Sequence, residues 1–124
     1  MNRLDQEQWH TLQARLERAS AALLSQLADD LDRDTDLRQP LPHQAEASPA
    51  DNASQRALRA AVHEAATQTG RQLDVVRHAL GKFSQQSYGL CERCGEPIGY
   101  SRLNARPEAR LCIACQTWLE SSGR

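Results

Sequence analysis

The amino-acid sequence predicts a mainly α-helical fold: a long antiparallel coiled-coil hairpin joined to a small C-terminal four-cysteine finger that ends in a short helix. Three observations predict it. Two stretches of heptad-spaced apolar residues are separated by a proline-rich break. Cys91, Cys94, Cys112 and Cys115 then follow as C-x2-C, a 17-residue spacer and C-x2-C. Finally, aromatic residues make up only 4% and alanine supplies much of the 40% hydrophobic fraction, so a large globular core is out of reach while thin helices are not. No stretch approaches the roughly 18 apolar residues that span a bilayer, so the expectation is a soluble, cytoplasmic protein without a membrane partner.

Helix 1 is expected from about residue 4 to 36. Its apolar positions Trp9, Leu12, Leu16, Ala19 and Leu23 alternate steps of three and four, the seam of a helix facing another helix. The pattern then steps to Leu27 and Leu31, a small phase slip that turns the seam around the helix. Asp29, Asp30, Asp32, Asp34 and Asp36 crowd its last turns, where the helix dipole gives carboxylates no benefit. They read as a solvated face or as an acidic surface that steers towards a basic cavity.

Residues 37–50 are expected to form the hairpin tip, since Pro40, Pro42 and Pro49 fall in a stretch without apolar periodicity. Ser48-Pro49-Ala50-Asp51 reads as a helix start, with Ser48 at N-cap, Pro49 at N1 and Asp51 at N3. Helix 2 is expected over about 49–87, with Val62, Ala66, Thr69, Leu73, Val76, Leu80 and Phe83 as its seam and Leu58 extending it towards the tip. At 1.5 Å per residue it makes an arm of roughly 55 Å. Gly70 and Gly81 each weaken it by about 1 kcal/mol relative to alanine, with no reason visible in the sequence. The prolines between the helices favour pairing within one chain, hence a monomer. The expected division is a hairpin over 1–87 and a finger over 88–124.

In the finger, two residues between cysteines let a tight knuckle aim both sulfurs at one ion, and a second knuckle completes a tetrahedron. Four thiolates leave no open position, so one structural zinc ion is expected and no catalytic metal. Gly95, directly after Cys94, is free to take the positive φ that turns backbone N–H groups towards the sulfurs. Ile98, Leu103, Leu111 and Ile113 supply a mini-core too small to hold without metal. A short helix over 116–120 is expected to pack Trp118 and Leu119 against the finger and the helix bases. Disulfides would suit a secreted chain, but Met1 to His10 has no apolar segment like that of a signal peptide. A redox C-x-x-C would accompany a βαβ pattern, which is absent. His10, His43, His63 and His78 lack metal-ligand spacing and read as solvated or seam-edge residues.

The formal charge of −1 becomes about −3 with four thiolates and one zinc ion, and no basic field suited to generic nucleic-acid binding results. No nucleophile, base and orienting acid can be grouped, so no enzymatic activity is expected.

The stretch C-E-R-C-G-E-P-I-G-Y-S-R-L-N-A-R-P-E-A-R-L-C-I-A-C from Cys91 to Cys115, with R-L-x-A-R-P at Arg102 to Pro107, resembles the DksA/TraR family of bacterial transcription regulators. The S-P-A-D-N-A-S-Q stretch from Ser48 to Gln55 is similar to that family's D-P-x-D-x-A tip motif. The resemblance covers about residue 5 onward and suggests a compact paralogue. It implies a protein that binds RNA polymerase with its finger end and inserts the hairpin into the secondary channel to modulate initiation. Asp51 then matches the tip aspartate and Ala53 the small residue beside it, with Ser48 and Asn52 completing the tip; Ser48 replaces the family's first aspartate. On the residues alone, Asp51 is equally a helix cap and Ala53 a good helix former.

In fuller members, basic residues help bind guanosine tetraphosphate at the polymerase interface. The matching positions here are Gln68, Val75 and Gln116, and only Arg106 keeps a cation, so weak or absent potentiation by that nucleotide is expected. Two other classes compete. One is a zinc-finger nucleic-acid binder using Arg93, Arg102, Arg106 and Arg110, although direct sequence-specific DNA binding is not expected. The other is an adaptor whose zinc-bound thiols respond to oxidation.

Overall fold

The computed structural model describes residues 3–38 and 49–122; within those ranges the side chains of residues 37, 38, 49 and 51 are not described. Four helices follow in order: α1 (Gln6–Arg38), α2 (Pro49–Ser84), α3 (Tyr100–Ala105) and α4 (Ile113–Ser122). Among the described residues the only extended pairing is an isolated antiparallel bridge between Leu90 and Pro97. No helix among them is long and apolar enough to cross a membrane. Two compact units are present, Met1–Ser20 with Asp74–Arg124, and Ala21–Leu73; both long helices run through both.

In the first unit the seam reading holds for α1, where Leu12 and Leu16 are fully buried. Opposing residues on α2 are Val76, Ala79 and Phe83; Ala79 is buried in the place expected of Leu80, which is half-buried. Trp9 and Phe83 meet edge to face at 4.9 Å, Trp9 and Tyr88 at 5.8 Å, and Phe83 stacks on Tyr88 at 3.9 Å. Three of the few aromatic residues are thus spent on one cluster, whose polar end is satisfied because Tyr88 Oη donates to the carbonyl of Pro107 at 2.9 Å.

Helix α2 ends at Ser84, earlier than expected and not at Gly89. Gln86 adopts φ 59°, Ser87 N donates to Lys82 O at 2.9 Å and Gln86 N to Phe83 O at 3.2 Å. That is the six-to-one and five-to-two pair of a Schellman cap, here with glutamine in the left-handed position usually given to glycine. Gly89, at φ 88°, serves a different need: a Cβ there would meet Leu4 Cδ1 at 3.3 Å.

The second unit corrects the expected seam. Its buried residues on α2 are Val62, Ala66, Thr69 and Leu73, as read from the heptads. On α1, however, Leu31 is 49% exposed while Asp30 is 3% exposed and Asp34 is also buried. The step of four from Leu23 to half-buried Leu27 occurs as expected, but the seam then advances by three to position 30 and by four to Asp34, and Leu31 rotates outward. Asp30 is stabilised there by Gln26 Nε2, which donates to Oδ1 at 2.9 Å, and by Thr69 Oγ1, which donates to Oδ2 at 3.0 Å. Thr69 Oγ1 also lies 3.0 Å from Ala65 O, but one hydroxyl hydrogen serves one acceptor at a time and the carboxylate is the stronger. Asp34 lies 3.9 Å from His63 Nδ1. The acidic face is therefore reduced to Asp29, Asp32 and Asp36, and these pairs place α1 and α2 antiparallel within the unit. Leu58, expected to extend the seam, is exposed.

A methyl group added at Gly70 or Gly81 would meet nothing within 4 Å, so neither glycine is required by packing. Gly70→Ala and Gly81→Ala should each raise stability by about 1 kcal/mol, read as a shifted urea midpoint with unchanged slope. A loss of stability at either would reveal a contact not formed by this chain alone.

Candidate metal centre and its flanking cleft

The first knuckle is built by backbone hydrogen bonds around Cys91. Cys91 N donates to Glu96 O at 2.8 Å and Gly95 N to Cys91 O at 2.9 Å, with Gly95 at the expected positive φ of 78°. The second knuckle runs into α4, where Gln116 N donates to Cys112 O at 2.9 Å. Glu92 N donates to Arg110 O at 2.9 Å and so ties one knuckle to the other.

This arrangement brings the sulfurs of Cys91, Cys94, Cys112 and Cys115 within 4.8 Å of one another. Cys94 Sγ and Cys112 Sγ are 3.8 Å apart. Tetrahedral Zn–S bonds of ~2.3 Å require sulfur separations of ~3.8 Å, so the four donors fit zinc. Their own acid–base chemistry points the same way. Burial raises the Cys91 thiol, but backbone N–H groups of Cys94, Cys112 and Arg93 outweigh it and bring it down to about 6. At Cys94 a backbone N–H of Glu96 favours the thiolate, yet desolvation and the three neighbouring sulfurs win and push it up to about 12. Four sulfurs this close cannot all ionise alone; a divalent cation removes the conflict. The donor set is closed, so one structural zinc ion is held and no position remains for substrate.

Arg93 supports the centre from outside. Its Nη1 donates to Cys115 Sγ at 3.5 Å, and its guanidinium lies 3.8 Å over the Trp118 ring. Trp118 and Leu119, expected to pack inward, are each about half exposed, so Trp118 serves chiefly as a platform for Arg93. Ile98 and Leu103 form the expected mini-core, Leu103 from α3, a helix with too little apolar pattern to be legible in the sequence. Ile113 does not join them; it opens α4 and is 69% exposed.

Beside the centre lies a cleft of about 530 Å³ whose walls include Val75, Arg106 and Gln116. Gln68 belongs to the second unit, where it is exposed. Four arginines line the cleft, and each already has a partner. Arg93 has Trp118 and Cys115; Arg102 Nε donates to Leu111 O at 3.0 Å. Arg106 Nε lies 3.6 Å from Glu108, and Arg110 grips both oxygens of Glu92. Arg110, followed by burial working against it and then Lys82 and His78, accounts for the Glu92 carboxyl being held down at about 2. His78, read from the sequence as a solvated or seam-edge residue, is partly exposed and is also a partner of Glu92 at 2.7 Å. The available signal was the i,i+4 spacing of His78 and Lys82 on one face of α2. His10 and His63 are exposed as expected; His43 lies outside the described residues.

Of the tip residues, Ser48 lies outside the described residues, as does the side chain of Asp51, the third residue of α2. Asn52 is half-buried and Ala53 exposed in the first turns of that helix.

A helical pair carrying a closed four-sulfur centre is the architecture of a C4-type zinc-finger protein. Residues 86–120 match the prokaryotic dksA/traR C4-type zinc finger family. The chain is 47% identical over 45 residues to the RNA polymerase-binding transcription factor DksA of Escherichia coli K12, covering 36% of this chain and 30% of that protein. The same-named protein of Haemophilus influenzae is 47% identical over 45 residues, covering 36% and 31%. The matched segment thus spans under a third of these relatives. Transcription factor DksA2 from Pseudomonas aeruginosa superposes with a TM-score of 0.83 at 29% identity, over 97% of this chain and 88% of that one. Residues 86–120 are thus similar to the DksA/TraR-type finger, and the chain as a whole is similar in fold to DksA2.

Proposed function

We propose that the protein is a DksA-type transcription regulator that binds RNA polymerase and modulates initiation by placing the tip of its helical hairpin in the secondary channel. The observation that carries this reading is the coincidence of the finger match over residues 86–120 with likeness to DksA2 over 97% of the chain. In this reading residues 1–87 act as the hairpin and 88–124 as the docking finger, in a monomeric cytoplasmic protein. Asp51 offers carboxylate acceptors at the tip, Ala53 allows close approach, and Ser48 and Asn52 flank them. A regulator of this kind can shift a polymerase equilibrium only by contacting its states differently.

The expected result is that Asp51→Asn binds RNA polymerase from the same organism within a few-fold of the parent yet no longer alters promoter-complex lifetime in purified transcription. Full retained activity would leave Asp51 as a helix-start residue only.

Guanosine tetraphosphate is expected to add little. The cleft arginines are engaged within the chain, Arg106 among them although its side chain is 69% exposed, and Val75 and Gln116 add no charge. A large nucleotide-dependent enhancement would overturn that part. The second reading, a nucleic-acid binder using the same arginines, predicts salt-dependent binding to bare DNA without polymerase.

A further inference from the structure

Glu92 directly follows the first cysteine and faces cations from two elements. His78 Nε2 lies 2.7 Å and Lys82 Nζ 2.8 Å from its Oε2. Arg110 Nε lies 3.0 Å from each oxygen and Nη2 2.8 Å from Oε1. His78 and Lys82 belong to α2, and Arg110 stands two residues before Cys112. One carboxylate therefore joins the end of α2 to both knuckles.

Lys82 is held at both ends. Its side chain is 9% exposed, with Nζ in ion-pair contact with Glu92 but without a directed hydrogen bond. Its carbonyl accepts the N–H groups of Ser87 and Tyr88 that close α2. We propose that Glu92 is the positioning residue that seats the zinc finger on α2, so that metal occupancy at the four cysteines and order in the last turns of α2 form one coupled equilibrium. With metal bound, the knuckles fix the Glu92 backbone between Cys91 and the Arg110 carbonyl. Without it the knuckles relax, the carboxylate loses its place, and a buried ammonium is left without a counter-charge. Such a group must reach water, which requires the helix end to open. By linkage, removing the carboxylate must weaken zinc binding by the factor through which zinc orders the helix. The coupling belongs to the fold and stands apart from the role proposed on RNA polymerase.

The test combines zinc affinity, by competition with a chromophoric chelator, with hydrogen exchange of amides 79–84 in the full chain. Glu92→Gln should still take up one zinc ion, with affinity weakened about 10-fold or more, and exchange these amides about 10-fold faster. Metal removal should accelerate the same amides in the parent and add little in the variant. Lys82→Met keeps the Glu92–Arg110 pair but removes the buried cation, and should likewise abolish the metal dependence of exchange; it decides the matter if Glu92→Gln fails to bind zinc. Unchanged affinity and exchange in Glu92→Gln, or a metal dependence in either variant as large as in the parent, would overturn the proposal.

Discussion

Cys115→Ser is expected to release the zinc ion and unfold the finger. Cys115 is buried on α4, its sulfur completes the four-donor set, and it is the sulfur that Arg93 contacts. A serine hydroxyl is a hard, neutral donor at pH 7 and a poor substitute for a thiolate on zinc. Structural zinc contributes on the order of 10–16 kcal/mol to small metal-bound folds. Ile98 and Leu103 are the buried aliphatic side chains available to resist its loss, and burying each supplies roughly 1.5–3 kcal/mol. The metal term is far larger than this core. Native mass spectrometry should show loss of bound zinc, and amides of residues 91–120 should exchange at close to unprotected rates. One zinc ion per chain with parental protection would show that three sulfurs suffice and that the finger's apolar contacts hold more than their area suggests.

The residues that carry information in the sequence are those whose chemistry is local. Cysteine spacing defines the metal centre because two-residue knuckles fix sulfur direction with no help from the rest of the chain. Heptads place Leu12, Leu16, Val62, Ala66 and Leu73 in the interior because burial of one face is a property of each helix alone. Asp30 shows where that logic stops. An aspartate on a helix reads as solvated until its partners are known, and here the partner Thr69 comes from the other helix, 39 residues away. A leucine one position along invites a slipped seam, although a Thr–Asp–Gln hydrogen-bonded layer tolerates burial of position 30. Glu92 is hidden for the same reason, since the three side chains that define its role come from 10 to 18 residues away in both directions. The end of α2 is not legible because Gly89 resembles a helix stop, while Gln86 takes the left-handed position without glycine's advantage.

Phe83→Ala is expected to be the most damaging apolar substitution in the first unit, costing about 3–5 kcal/mol. Phe83 is buried, stacks on Tyr88 and meets the Trp9 edge, so truncation removes transfer energy, leaves a cavity and breaks two aromatic pairs at once. Collapse cannot repair it easily. Tyr88 is pinned by its hydrogen bond to Pro107, and Leu4 packs so close to its neighbour Gly89 that even a Cβ there would meet it at 3.3 Å. Tyr88→Phe separates the two contributions, because it keeps the stack but removes the bond to Pro107 O, and should cost only about 1 kcal/mol. Leu31→Ala, at an exposed position despite its leucine, should stay within about 0.5 kcal/mol of the parent. Urea titration followed by circular dichroism, with zinc saturating throughout, reads all three. A Leu31→Ala cost equal to that of Phe83→Ala would mean that position 31, not 30, faces the partner helix, and the buried Asp30 layer would have to be given up along with it.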